Sequence, residues 1–212
     1  MNSGPRRNLR DEYAAQTRER ILAAFVECLA DQPAEEVSVS AVAEQAGITD
    51  RTVYRHFPTR VDLQAAAGQW INDNVFRYVH PSSLDELPTV FREACRRFDQ
   101  QPNLAYAIAL SRLGRSVRAG FRQHVLAENS KALEQVAPHL PPRERRRAEA
   151  VLAYLDNVLA WATMREELDL SGEEVADAVE WAMTTLLADL RRRNNEAADT
   201  SSTARSSSRD QA

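Results

Sequence analysis

Apolar residues recur every three or four positions along most of the chain, and each break in that rhythm falls on residues that end helices. Ile21, Ala24, Phe25, Cys28 and Leu29 share one face and predict a helix over residues 11–30. Val39, Val42, Ala43 and Ala46 predict a short helix. It opens at Ser38, whose hydroxyl can accept an amide hydrogen that the first turn leaves unpaired, and it stops at Gly47, a residue suited to a left-handed cap. Thr49 opens another short helix, with Val53 and Phe57 on its apolar side and Arg51, Thr52, Arg55 and His56 on its polar side. Thr59 then caps a fourth helix over residues 59–79, striped by Leu63, Ala67, Trp70 and Ile71. Beyond a break at residues 80–83, Leu87, Val90, Phe91, Ala94, Cys95 and Phe98 mark a fifth helix. A short helix over residues 104–113 ends at Gly114, and residues 115–136 continue with Val117, Phe121, Val125 and Leu133. No alternating strand pattern of useful length occurs. The fold class is all-α, with about nine helices.

The last two predicted helices, residues 142–168 and 171–193, are apolar over far more than one stripe. Val151, Leu155, Val158 and Ala162 share a face of the first, flanked by Leu152 and Leu159 on one side and by Tyr154, Asn157, Trp161 and Met164 on the other. The second repeats the pattern with Val175, Val179, Ala182, Met183, Leu186 and Leu190, flanked by Ala178, Trp181 and Thr185. A surface helix needs an apolar arc of only about 100°. Arcs twice as wide call for burial on two sides, against the helix's own domain and against a partner. A homodimer that joins these two helices to their mates in a four-helix interface satisfies that need.

Residues 38–57, SVSAVAEQAGITDRTVYRHF, are two short helices joined around a glycine. That is a helix-turn-helix, whose second helix can enter a DNA major groove. The segment resembles the DNA-binding half of the TetR (tetracycline repressor) family. The resemblance begins near Thr17 with TRERILAAFVECLAD and runs through AVAEQAGITDRTVYRHF into FPTRVDLQAA, ending at Ala67. It implies an N-terminal three-helix DNA-binding domain, a C-terminal helical domain for effector binding and dimerisation, and a regulator released from a palindromic operator by a small molecule. Repression and activation use the same contacts and are not distinguished by them.

Carried over by position, the resemblance makes Thr49, Asp50, Arg51, Thr52, Tyr54, Arg55 and His56 the recognition helix. Arg51 stands where the family usually has a small residue, and its fork suits the O6/N7 edge of guanine. Tyr54, His56 and Arg60 are expected at phosphates, with Ser38 and Thr52 as secondary phosphate contacts. The resemblance also implies an effector pocket for an apolar or amphipathic molecule. Trp70, Phe98, Tyr106, Phe121, Tyr154, Asn157, Trp161 and Met164 are its candidate lining, and they would equally fill a dry core. The fourth helix, with Arg60 at its DNA end and Trp70 and Val75 further along, is expected to carry the effector's signal.

The net charge of −4 argues against strong coating of DNA. Its distribution is more permissive: Arg6, Arg7 and Arg10 have no acid among the first ten residues, and residues 49–60 set Arg51, Arg55 and Arg60 against Asp50 alone. The cysteines Cys28 and Cys95 fall on apolar faces without metal-ligand spacing, and His80, His124 and His139 show none either. Glycine-rich phosphate loops, nucleophile elbows and paired metal ligands are all missing, so an enzyme is not expected, nor is a cofactor. No apolar run is long enough for a membrane span, and a cytoplasmic protein is the expectation. The competing function is a helical dimeric sensing or protein-interaction module whose DNA contact is incidental. The expected organisation is a flexible basic arm over residues 1–10, the DNA-binding domain over 11–58, the effector and dimerisation domain over 59–193, and a disordered tail over 194–212, which has no large apolar residue to offset its ordering entropy.

Overall fold

The computed structural model describes residues 9–31 and 37–209, without the side chains of residues 120, 121, 124 and 201–209. Ten α-helices follow one another among the described residues: α1 (Leu9–Asp31), α2 (Val39–Gln45), α3 (Asp50–His56), α4 (Arg60–Trp70), α5 (Leu87–Gln100), α6 (Pro102–Leu110), α7 (Arg112–Val136), α8 (Pro142–Leu155), α9 (Val158–Leu168) and α10 (Gly172–Arg209). A π-helical turn, Ile71–Val75, extends α4, and a 3-10 turn, Leu84–Glu86, leads into α5. None of the described helices is long and apolar enough to cross a membrane.

The chain divides into two compact units, Met1–Arg77 with Gln101–Phe121, and Tyr78–Gln100 with Arg122–Ala212. The expected boundary between residues 58 and 59 is therefore not where the packing divides, because α4 and α6 belong with the helix-turn-helix. In this first unit α1 is the hub. It packs against α2, α4 and α6, and its Ile21, Phe25 and Leu29 are buried. A Cβ at Gly68 of α4 would run into the backbone carbonyl of Val117 in α7, so those two helices meet backbone to backbone. Gly114, expected to end a helix, lies inside α7 instead. The Ser111 hydroxyl accepts the Gly114 N–H at 2.8 Å, and a side chain at Gly114 would collide with the carbonyls of Ala107 and Ile108. Its glycine serves close approach rather than a cap.

In the second unit α10 runs along α5 and also touches α8 and α9. Phe91, Cys95, Leu152, Trp161, Val179 and Met183 are each at most 1% exposed and form much of its core. The single helix expected over residues 142–168 is two. Asp156 (φ −81°, ψ 60°) and Asn157 (φ −152°, ψ 142°) interrupt it, and the Asn157 side chain accepts the Leu159 N–H at 2.9 Å. Asp and Asn offer the backbone such local partners, which is why they break helices as readily as they cap them. Asp169, at φ 56°, closes α9 in the left-handed region.

The expected disordered tail is also revised, since α10 continues to Arg209. Asn194 is buried and its side chain accepts the His139 N–H at 2.8 Å. Arg192 pairs with Asp189 and Glu196 at 2.6 Å each, on the turns to either side. Spacings of three and four residues support a helix without any apolar stripe. The N-terminal arm, Arg6 and Arg7 included, lies outside the described residues, as do residues 210–212. Arg10, assigned to that arm, is already in α1.

Candidate nucleic-acid interface

Val42, Ala43, Val53 and Phe57 are all buried, which fixes the polar face of α3 outward. The hinge between α2 and α3 is a left-handed Gly47 (φ 65°) that places no Cβ in a strained conformation. Several hydroxyls assigned to DNA are used within the fold. Ser38 caps α2 by accepting the Ala41 N–H at 3.0 Å, and Thr49 caps α3 by accepting the Thr52 N–H at 3.4 Å. The Thr49 and Thr52 hydroxyls also lie 3.1 Å apart. Asp50 accepts a 2.7 Å hydrogen bond from the Ser40 hydroxyl, which ties the first turn of α3 to α2.

Arg51, Tyr54 and Arg55 remain, exposed along two turns of one helix. Tyr54 shows 49% of its surface. Thr52 and His56 are half-buried beside them. Burial first, then the charges of Arg55 and Arg18, hold the His56 imidazole below its ordinary value, so near neutral pH it offers a neutral N–H donor rather than a cation. Arg60 is half-buried and donates to the Val37 carbonyl at 3.3 Å, so part of its guanidinium is spent inside the unit. A capping box between Thr59 and Asp62 starts its helix.

Sequence reasoning missed Arg18 of α1. Its Nη1 donates to the His56 carbonyl at 3.2 Å, and its guanidinium lies 4.2 Å from the centre of the Phe57 ring. A separation of 38 residues leaves no local signal for that contact.

The candidate effector residues divide between the two units. Trp70 and Tyr106, both half-buried, are in the first, and the indole N–H of Trp70 is buried without an acceptor among the described residues. Phe121 lies outside the described side chains. In the second unit the Phe98 and Trp161 rings meet at 5.5 Å. Trp161 is fully buried, and its N–H donates to Asp99 at 3.2 Å, with Arg165 on the same carboxylate at 2.7 Å. That is a satisfied core residue. Asn157 is the α9 cap, Met164 is half-buried, and Tyr154 is 52% exposed rather than inward-looking. The break at residues 156–157 separates α8 from α9, so the wheel that put Tyr154 and Trp161 on one face does not apply.

Two further polar groups of this unit carry no sequence signal. Asn129 of α7 is 3% exposed, and its amide donor has no acceptor among the described residues. Asp156 accepts from the Tyr78 hydroxyl at 3.4 Å, and the Tyr78 ring meets His80 edge-on at 5.0 Å. Burial pushes the Asp156 carboxyl up to about 6, against the smaller opposite effect of the Tyr78 bond.

The same unit leaves large apolar side chains uncovered on two of its helices. Val151 and Tyr154 on α8 are 43% and 52% exposed, and Trp181 on α10 is 72% exposed. An open groove of about 350 Å³ beside Trp181 is lined by Arg92, Asp177, Glu180, Thr184 and Thr185. Arg92 bridges Asp177 and Glu180 there.

Comparison with known proteins follows this division. Residues 21–67 match the family model of bacterial regulatory proteins, tetR family. The nucleoid occlusion factor SlmA of Marinobacter nauticus is 34% identical over 59 residues, which are 28% of this chain and 30% of that protein. SlmA of Aliivibrio fischeri is 29% identical over 76 residues, 35% of this chain and 39% of its own. The chain thus spans less than two-fifths of the curated relatives it matches. Among solved structures, NalD, the secondary repressor of the MexAB-OprM multidrug efflux pump in Pseudomonas aeruginosa, has a TM-score of 0.60 at 18% identity, covering 82% of this chain and 96% of that one. A TetR variant of Acinetobacter baumannii in complex with minocycline has a TM-score of 0.52 at 16% identity, over 82% and 96%. Beyond the matched segment the likeness is one of fold.

Proposed function

The chain belongs to the TetR family of DNA-binding transcriptional regulators through residues 21–67, and from that premise we propose that it works as a dimer on a pseudo-palindromic operator and is released by a small molecule. The observation that carries the reading is the outer face of α3. Arg51, Tyr54 and Arg55 are exposed there, while the caps and apolar residues behind them are engaged internally. An exposed helix face of this kind fits a major groove, with Arg51 at a base edge and Tyr54, Arg55 and His56 near phosphates. Ser38, Thr49, Asp50 and Thr52 then act by holding α2 and α3 in register, and Arg60 makes a lesser phosphate contact. The role is regulatory rather than catalytic.

Two recognition helices are needed to read two half-sites about one helical turn apart. The uncovered Val151, Tyr154 and Trp181 supply the apolar face through which α8 and α10 meet a second copy. Effector release follows from linkage: a molecule that binds the non-operator conformer more tightly weakens DNA binding, by roughly 5–150-fold for couplings of about 1–3 kcal/mol, and operator weakens the molecule's binding by the same factor. The minocycline complex of a protein of the same fold supports an effector role. Asn129, with a buried donor lacking an acceptor among the described residues, is a polar handle such a molecule would use.

Selection of duplexes from a random-sequence pool by the full-length protein tests the reading. Enrichment of one two-fold symmetric sequence, bound by a dimer, is expected. Uniform recovery of all sequences would leave the sensing or interaction module, with incidental DNA contact, as the better account.

A further inference from the structure

The recognition helix is only seven residues long, too short to hold its own shape or direction, so its pose depends on what grips its ends. Its N-terminal end is gripped locally, by the Thr49 cap and by the Ser40–Asp50 bond to α2. At its C-terminal end the backbone closes the last turn, the Phe57 N–H donating to the Val53 carbonyl at 2.8 Å. The chain leaves it at Phe57 in extended conformation (φ −136°, ψ 92°), two residues before the next cap, Thr59. The last carbonyls of a helix have no intrahelical donor and carry the negative end of its dipole.

We infer that Arg18, which lies outside the helix-turn-helix, is the positioning residue that fixes the recognition helix from its C-terminal end. One nitrogen of its guanidinium donates to the final carbonyl of α3, that of His56, at 3.2 Å. The guanidinium carbon of the same group lies over the ring of Phe57, 4.2 Å from its centre, and Phe57 is itself 1% exposed. One side chain therefore binds the end of α3 to the core residue that follows it, and it does so from α1, the hub of its unit. Arg51, Tyr54 and Arg55 all lie within two turns of that anchored carbonyl, so a tilt at this end moves each of them relative to the bases. A lysine carries the same charge but has no planar face to lie on the ring while it donates. Arg18 also helps to hold the His56 imidazole neutral, which gives the contact a spectroscopic signature independent of DNA.

This inference rests on the DNA-reading role proposed above, and its test separates the two. The probe is the duplex that the wild-type protein selects from a random pool, paired with a scrambled duplex of the same composition. Binding of both is measured over a range of salt concentrations, well below the unfolding temperature, for the wild type, Arg18→Ala and Arg18→Lys. The His56 titration of the DNA-free full chain is followed by NMR. Positioning predicts that Arg18→Ala lowers the preference for the selected duplex about tenfold, the size of one good base contact, with scrambled-duplex affinity and salt slope unchanged. It predicts a similar loss for Arg18→Lys, and a rise of the His56 pKa in Arg18→Ala. Equal weakening on both duplexes with the slope reduced by about one would make Arg18 a phosphate contact and overturn the inference. Full preference in Arg18→Lys would overturn it too, since charge alone would then suffice. Arg18→Lys decides the matter if the alanine variant does not fold. If the wild type selects no sequence, the DNA-reading role fails.

Discussion

Two aromatic side chains stand out from the surface, Tyr54 on α3 and Trp181 on α10, and their neighbours differ in kind. Tyr54 sits between Arg51 and Arg55, on a helix whose acid, Asp50, is already bonded to Ser40. Trp181 lines a groove with Thr184, Thr185 and the Arg92–Asp177–Glu180 ion-pair cluster, and α8, which packs against its helix, exposes Val151 and Tyr154. An exposed ring among cations that have no acid partner among the described residues suits a phosphate-lined groove. An exposed ring beside threonines and charges already paired with one another suits another protein surface, where burial returns roughly 25 cal/mol per Å² of apolar area. On the proposed reading, exposure marks a contact and the surrounding charge selects its partner.

The largest effect should come from breaking the apolar member of that pair. Trp181→Arg combined with Tyr154→Arg should yield a folded monomer by sedimentation, with affinity for a selected duplex reduced more than about a hundredfold, because one recognition helix reads only one half-site. A double variant that still sediments as a dimer would move the interface elsewhere. On the polar member, Arg51→Ala should cost on the order of 1–3 kcal/mol and relax preference at one position per half-site. An equal loss on every base variant would reduce Arg51 to a phosphate contact.

A third test separates the stability of the second unit from its surface. The Asp156 carboxyl is held up near 6 against an ordinary 3.8, so between those values the folded state binds more protons than the unfolded one. Stability must then fall as pH rises through that window. Asp156→Asn, which keeps an acceptor for the Tyr78 hydroxyl, should be more stable than the wild type at pH 7.5 by roughly 1–3 kcal/mol and little different near pH 4. Equal unfolding midpoints in denaturant at both pH values would show that Asp156 is not held out of water. The smallest effect belongs to Arg60. Part of its guanidinium is committed to the Val37 carbonyl, so Arg60→Ala should weaken all duplexes alike and only a few-fold, about 1 kcal/mol or less. A sequence-dependent loss in a filter-binding series would give Arg60 a share of the reading.

What the sequence by itself determined lies within about one turn of the residue concerned. Helical periodicity, the Ser38, Thr49 and Thr59 caps and the left-handed Gly47 are set by neighbours three or four residues away, so the helix-turn-helix and its outward residues were legible. Tertiary structure decided the rest because its partners are distant in sequence. Gly114 looks like a stop but serves a close crossing within its unit. The Asp156–Asn157 break turned Tyr154 outward, while Trp161 became a core residue bonded to Asp99, 62 positions away. Asn194 kept α10 going by bonding to His139, 55 positions back. Arg18 and His56 met only because α1 and α3 pack in one unit. A local pattern states which face of a helix is apolar; which neighbour covers that face, and which side chain is left over to bind, depends on contacts whose loop entropy only the assembled core offsets.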